Sequence, residues 1–303
     1  MNEPSPGNAA PVAQFDALWN YEDPAGSEAA FLGILPQVEA TGDIGLHAEV
    51  LTQIARAQGL QRRFDEGHAT LDLCARFNLL GAPRAMVRAM LERGRLWNTA
   101  GDTASAGELF TGAWSMARSA GQDDLAVDAA HMLGIVLPGD EGLRWNLSAL
   151  DLARSSTEPA AQRWQGSLLN NIGWSLHDAG RYEEALATFQ EGLAWQEGAG
   201  TPRSVHIARW TVARALRSLE RYEEALALQE ALAETGESDG YVDEEIGECL
   251  LALGRADGAR EAFARAYALL STDPWLPADE PERLERLRRL GGIEQVGEDE
   301  SHG

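Results

Sequence analysis

The sequence predicts an all-α chain made by stacking one small antiparallel helix pair several times over. Three observations carry that expectation. The heptapeptide RYEEALA occurs without a mismatch at 181–187 and again at 221–227, and a repeat at that spacing marks units that bury their apolar faces only against neighbours. Columns of small and bulky residues hold register well beyond the heptapeptide. Turn-forming residues then fall in the gaps that those columns leave.

Taken in order, residues 1–10 and the acidic tail 291–303 are expected to be disordered. Within 11–44, the segments VAQFDALWNYE (12–22) and SEAAFLGILPQVEA (27–40) read as an incomplete helix pair. From 45 to 270 six pairs follow. Their first helices, here called A, carry Ala55, Gly94, Gly134, Gly173, Ala213 and Gly247. Twelve positions on, in the B helices, stand Gly67, Ala106, Asn146, Ala185, Ala225 and Ala259. The bulky column after them is Leu71, Phe110, Leu150, Phe189, Gln229 and Phe263, followed by Cys74, Ala113, Ala153, Gly192, Leu232 and Ala266. Small residues let A approach B, and the bulky one fills the space left. GD at 101–102 and GR at 180–181 and 254–255 turn A into B, while GAPRA (81–85), GQDD (121–124), STEPA (156–160), GAGTPR (198–203) and TGESDG (235–240) join successive pairs. Asn146 departs from its column and Pro138 is expected to stop its helix A early, so the third pair is expected to be a looser junction or a bend. PERLERLRRL, within 271–290, is an amphipathic helix suited to cap the last pair.

The best units are GRLWNTAGDTASAGELFTGAW (94–114), LNNIGWSLHDAGRYEEALATFQEGL (169–193) and IGECLLALGRADGAREAFARAY (246–267). A small residue in helix A, a Gly-Asp or Gly-Arg turn and then Ala-x-x-x-Phe-x-x-Ala resemble the tetratricopeptide repeat. The spacing near 40 resembles the long-loop arrays of kinesin-light-chain-like proteins and bacterial regulators. The resemblance implies a right-handed α-α superhelix, a solenoid whose A helices line a concave surface. It speaks to fold more than to function, because such arrays bind many unrelated partners.

Composition narrows the function. Acidic residues number 48 against 25 basic ones, a formal charge of -23, which disfavours nucleic acid and anionic lipid as partners. Every basic residue is arginine, so no Walker-type phosphate loop and no Schiff-base lysine exists. The two cysteines, Cys74 and Cys249, suit a reducing cytoplasm better than a disulfide framework. MNEPSPGNAAP lacks a signal-peptide pattern and no apolar run reaches the ~20 residues that span a bilayer, so a soluble, cytoplasmic protein is expected. GESDG (236–240) matches a nucleophile elbow in letters only, since that motif needs a strand before it. Glu244 and Glu248 lack a third metal ligand. Catalysis, cofactors and metals are therefore not expected.

The side chains left for function lie on the presumed inner stripe of the A helices. Asn170, Trp174 and His177 stand at i, i+4 and i+7, joined by Asn171 and Asp178. Trp210, Arg214 and Arg217 repeat that spacing 40 residues later, with Thr211 and Ser218. Arg88, Glu92, Arg95 and Asn98, then Asp128 and His131, extend the stripe on one side, and Tyr241, Glu244, Glu245 and Glu248 on the other. Asparagines suit a bound peptide's backbone, arginine forks suit carboxylates, and tryptophans give flat, low-entropy contacts. The bland alternative is that the tryptophans pack between A helices and the arginines pair with neighbouring acids. The function expected is a non-catalytic scaffold holding an extended protein or peptide segment. The first rival is a sensory array for a small signalling peptide or metabolite acting through a separate effector, and the second is a helical-scaffold enzyme. Asn171 matches a position that peptide-holding relatives use, but their two-lysine clamp is missing.

Overall fold

The computed structural model describes residues 15, 17–235, 239–273 and 276–294. The first ten residues, the tail beyond 294 and residues 236–238 of GESDG lie outside that set. The chain forms two compact units, Met1–Leu168 and Leu169–Gly303. Among the described residues there is no strand, and the all-α expectation holds.

The first unit contains α1 (Pro24–Thr41), α2 (Ile44–Leu60), α3 (Phe64–Cys74), α4 (Pro83–Thr99), α5 (Thr103–Ser119), α6 (Asp123–Val136) and α7 (Gly139–Ser155). Helix α8 (Gln165–Asp178) opens the fourth pair, and most of it belongs to the second unit. The second unit continues with α9 (Tyr182–Ala199), α10 (Pro202–Ser218), α11 (Tyr222–Ala233), α12 (Gly240–Ala252), α13 (Ala256–Leu270) and α14 (Pro281–Leu290). The A helices are α2, α4, α6, α8, α10 and α12, in the register expected.

The packing columns explain why these helices pair. Every residue of the three B-helix columns is buried, from Gly67 to Ala266. At Gly94, Gly173 and Gly247 in the A column, the phenylalanine ring of the paired B helix occupies the missing side chain's place. A Cβ on Gly173 would lie 2.3 Å from Phe189 Cε1, and one on Gly94 2.4 Å from Phe110 Cε1. In the third pair α6 ends early, at Val136, just before Pro138, but Asn146 does not open the contact between the helices. Asn146 is 1% exposed and lies against Gly134, where a Cβ would come within 2.4 Å of its amide. The larger Asn is accommodated because its partner is glycine, so the departure is compensated across the pair rather than opening it.

Turns and ends follow from local chemistry. Gly101, Gly180 and Gly254 adopt positive φ at the A-to-B turn, the conformation glycine takes without strain. Arg62 and Glu220 hold the equivalent places in the first and fifth pairs with φ of 61° and 59°. An arginine follows in four of these turns, and at Arg181 and Arg221 it closes back on Glu184 and Glu224 with paired bonds of 2.7 Å. Thr201 and Ser204 form a capping box at the start of α10. At the far end α14 lays Leu284 and Leu287 over Phe263, Ala266 and Leu270. Cys74 and Cys249 are buried, and burial pushes their thiols up to about 11 and about 12. Neither is poised to react at neutral pH.

Candidate binding faces

In the first unit the A helices α2, α4 and α6 are tied by a ladder of opposite charges. Arg84 grips Asp124 through two bonds of 3.1 and 2.6 Å, and Arg95 grips Asp128 at 2.5 and 2.6 Å. Arg95 also donates to Glu92 at 2.6 Å, and Arg56 reaches the same carboxylate at 3.3 Å. Burial works to raise the Asp128 carboxyl, but Arg95 and Arg56 outweigh it and hold it below the ordinary aspartate value. Arg95, expected as a binding cation, is therefore a strut between α4 and α6. Its fork is occupied because one acid sits a turn before it and another a repeat away.

Arg88 is different. Its Nε lies 3.1 Å from Glu49 Oε2, off the hydrogen-bonding direction, and neither atom has a hydrogen-bond partner. Arg84 Nε stands 3.6 Å from the same oxygen. Burial, then the neighbouring Arg84, lowers the Arg88 pKa, and burial raises that of Glu49. Arg88 opens into a groove of about 390 Å³ shared with Trp19, Tyr21, Arg163 and Trp164. Tyr21 stacks on Trp19 at 5.0 Å and 6°, with Arg56 over both rings at 5.7 and 5.8 Å. His131 packs against Trp164 at 5.1 Å, and burial holds its pKa low.

In the second unit the two expected stripes meet. Trp174 on α8 and Trp210 on α10 have ring centroids 6.0 Å apart, both half-buried. Trp174 also packs edge-on against His177 and Phe189. His177 is 9% exposed and shares a 2.8 Å hydrogen bond with Ser218 Oγ, which also accepts from Arg214 at 2.6 Å. Arg217 clasps Glu245 at 2.6 and 2.9 Å, and Arg214 Nε lies 3.3 Å from that carboxylate. Asn170 and Asn171 are half-buried on α8. Other residues expected on the surface are, like Asp128 and His177, buried and structural. Thr211 is 2% exposed and bonds the Ala208 carbonyl. Glu92, Glu244 and Glu245 are buried as arginine acceptors, Glu244 for Arg283 at 2.5 Å.

Sequence reading therefore places the A-helix stripes and misreads how many of their charges are free. It also misses Trp19, Tyr21, Arg163 and Trp164, which lie outside the repeat columns. A signal for the ladder was available: Arg84 and Asp124 are 40 residues apart, Arg95 and Asp128 33, close to the repeat length.

Helix pairs with glycine-to-phenylalanine columns and an A-helix face rich in polar and aromatic groups have counterparts. Residues 166–195 and 204–274 match the tetratricopeptide-repeat family. These segments are tetratricopeptide repeats. The structure is similar to the apo quorum sensor NprR from B. thuringiensis, at 16% identity and a TM-score of 0.65 over 91% of this chain and 80% of that one. It is similar to apo RapI at 12% identity and 0.71, covering 93% and 81%. The nearly identical repeats of a putative kinesin light chain match 62% of this chain and 95% of theirs, at 17% and 0.53. At these identities the likeness shows the fold, a tetratricopeptide-like helical solenoid. No curated protein sequence matches significantly. No described helix is long and apolar enough to cross a membrane, and no described group of His, Cys, Asp and Glu could hold a metal ion.

Proposed function

We propose that this repeat chain is a non-catalytic scaffold that holds an extended peptide or protein segment against its A helices. The observation that carries the reading is the Trp174–Trp210 pair, half-buried on two adjacent A helices and flanked by Arg214 and Arg217. Glu245 fixes both guanidiniums, so the face is set before a ligand arrives and the flexible partner bears most of the ordering cost. Asn170 and Asn171 supply amides for a peptide backbone. A cytoplasmic setting, expected from the cysteines, belongs to the same proposal.

The test is capture of peptides from a randomised pool by the full chain. Trp210→Ala and Arg214→Ala should each lower retention at least about tenfold, a loss of about 1.4 kcal/mol, with circular dichroism showing each variant folded at the assay temperature. Unaltered capture by both variants would remove this face from the reading.

A second reading is favoured by the likeness to NprR and RapI over more than nine-tenths of this chain. An NprR structure of lower similarity, 14% identity and a TM-score of 0.52, is described as a complex with its cognate peptide NprX. On this reading the array closes on a short signalling peptide or metabolite and acts through a separate effector. A large thermal shift from a small metabolite, with no peptide retained, would favour it over the scaffold.

A further inference from the structure

Among 25 arginines in a chain with 48 acidic residues, two that share one groove donate no side-chain hydrogen bond to a carboxylate among the described residues. Arg88 lies on α4 with a side chain 18% exposed, and none of its donors makes a hydrogen bond among the described residues. Its ion-pair partner, Glu49 at 3.1 Å, is shared with Arg84 and lies off line. Arg163, exposed in the segment between α7 and α8, forms no ion pair among the described residues. Both line the groove of about 390 Å³ that the stacked Trp19 and Tyr21 also line. Elsewhere on this face Arg84 holds Asp124 through both terminal nitrogens, and Arg95 holds Asp128 and Glu92. A guanidinium taken largely out of water with its donors unused is costly unless an acceptor arrives.

We propose that this groove receives a peptide carboxylate on Arg88 and Arg163, with the adjoining residues lying across the Trp19–Tyr21 step. A planar carboxylate accepts two parallel N–H bonds from one fork, and the aromatic step offers flat contact area at low entropic cost. A phosphate fits less well, because Asp124 and Asp128 line the same groove and would repel a dianion at short range. The inference rests on the peptide-binding reading, but it places a second, chemically distinct contact in the first unit.

The experiment uses the immobilised full chain and three randomised hexapeptide pools: one free of Asp and Glu with a free C-terminus, the same pool amidated, and an amidated pool with one fixed Asp. At least one carboxylate-bearing pool should be retained at least tenfold over the acid-free amide. Whichever of the two leads identifies the source as chain terminus or side chain. Arg163→Ala, at an exposed position, should cut that preference at least threefold, and Arg88→Leu should abolish it if circular dichroism shows the variant folded. Equal retention of the acid-free amide overturns the proposal, as does a preference that survives both variants. Retention lost only in Trp210→Ala overturns this site while leaving peptide binding intact. No pool retained above the blank resin overturns both.

Discussion

Gln229 stands where the other five pairs carry Leu or Phe, and it is fully buried with neither side-chain Nε2 nor Oε1 hydrogen-bonded. An unsatisfied buried polar group costs about 1–3 kcal/mol, and methionine has nearly the same length and volume. Gln229→Met should therefore stabilise the protein by about 1–3 kcal/mol, read as a higher urea midpoint at unchanged slope. A lower midpoint would mean the amide has a partner after all. His177 gives a second prediction. Burial, then Arg214, lowers its pKa in the fold, so its folded pKa lies below the unfolded value of about 6.5. Its contribution is whole above that pH and is lost as pH falls through 6.5 toward the folded pKa. Melting temperature should thus drop between about pH 7.5 and pH 5.5, and His177→Gln should shrink the drop. His68 and His131 are also held low by burial, so some loss should remain. At this scale the sequence was most legible where volume decides, as at Ala185 or Phe189. It was least legible where hydrogen-bond geometry decides: the near-repeat spacing pairs Arg95 with Asp128, but no spacing says that Arg88 stands off line from Glu49.

Each helix pair is one hairpin, and its turn shows what the chain tolerates. Five of the six A-to-B turns put a residue in the left-handed region at the same register, three of them glycine and two not. For Glu220, with φ of 59°, that conformation costs roughly 1–2 kcal/mol, against roughly 0.5–1 kcal/mol of added unfolded-chain freedom if glycine replaces it. Glu220→Gly should stabilise by about 0.5–1 kcal/mol on that difference, as measured by chemical denaturation. The control is Glu183→Gly, within helix α9, which should destabilise by about 1 kcal/mol. The turns at Gly101, Gly180 and Gly254 could be read from the sequence because a turn is set within a few residues. The one-turn helix Pro159–Gln162 and the groove side chains beside it could not, because they lie in a connection that no repeat column reaches.

Across the whole chain the surplus of acid is not spread evenly over the two kinds of helix. The first turns of the B helices carry Asp65, Glu66, Asp140, Glu141, Glu183, Glu184, Glu223 and Glu224, all exposed. Negative charge there favours the N-terminal end of each helix dipole. The A helices instead pair their acids with arginines in short, largely buried bonds. Salt acts oppositely on the two populations. Raising ionic strength from about 0.01 M to about 0.1 M shortens the Debye length from about 30 Å to about 10 Å. That weakens repulsion among the exposed acids, which contributes to the formal charge of -23. The half-buried ladders are screened far less. Stability should therefore rise with sodium chloride by on the order of 1 kcal/mol, or roughly 2–4 °C in melting temperature. Neutralising Glu183 and Glu223 to Gln should raise the low-salt value and flatten the salt dependence, whereas Asp128→Asn, which breaks a ladder, should lower the curve at every salt concentration. A melting temperature that fell as salt was added would mean that the ladders, not the outward acids, dominate the electrostatics of this fold.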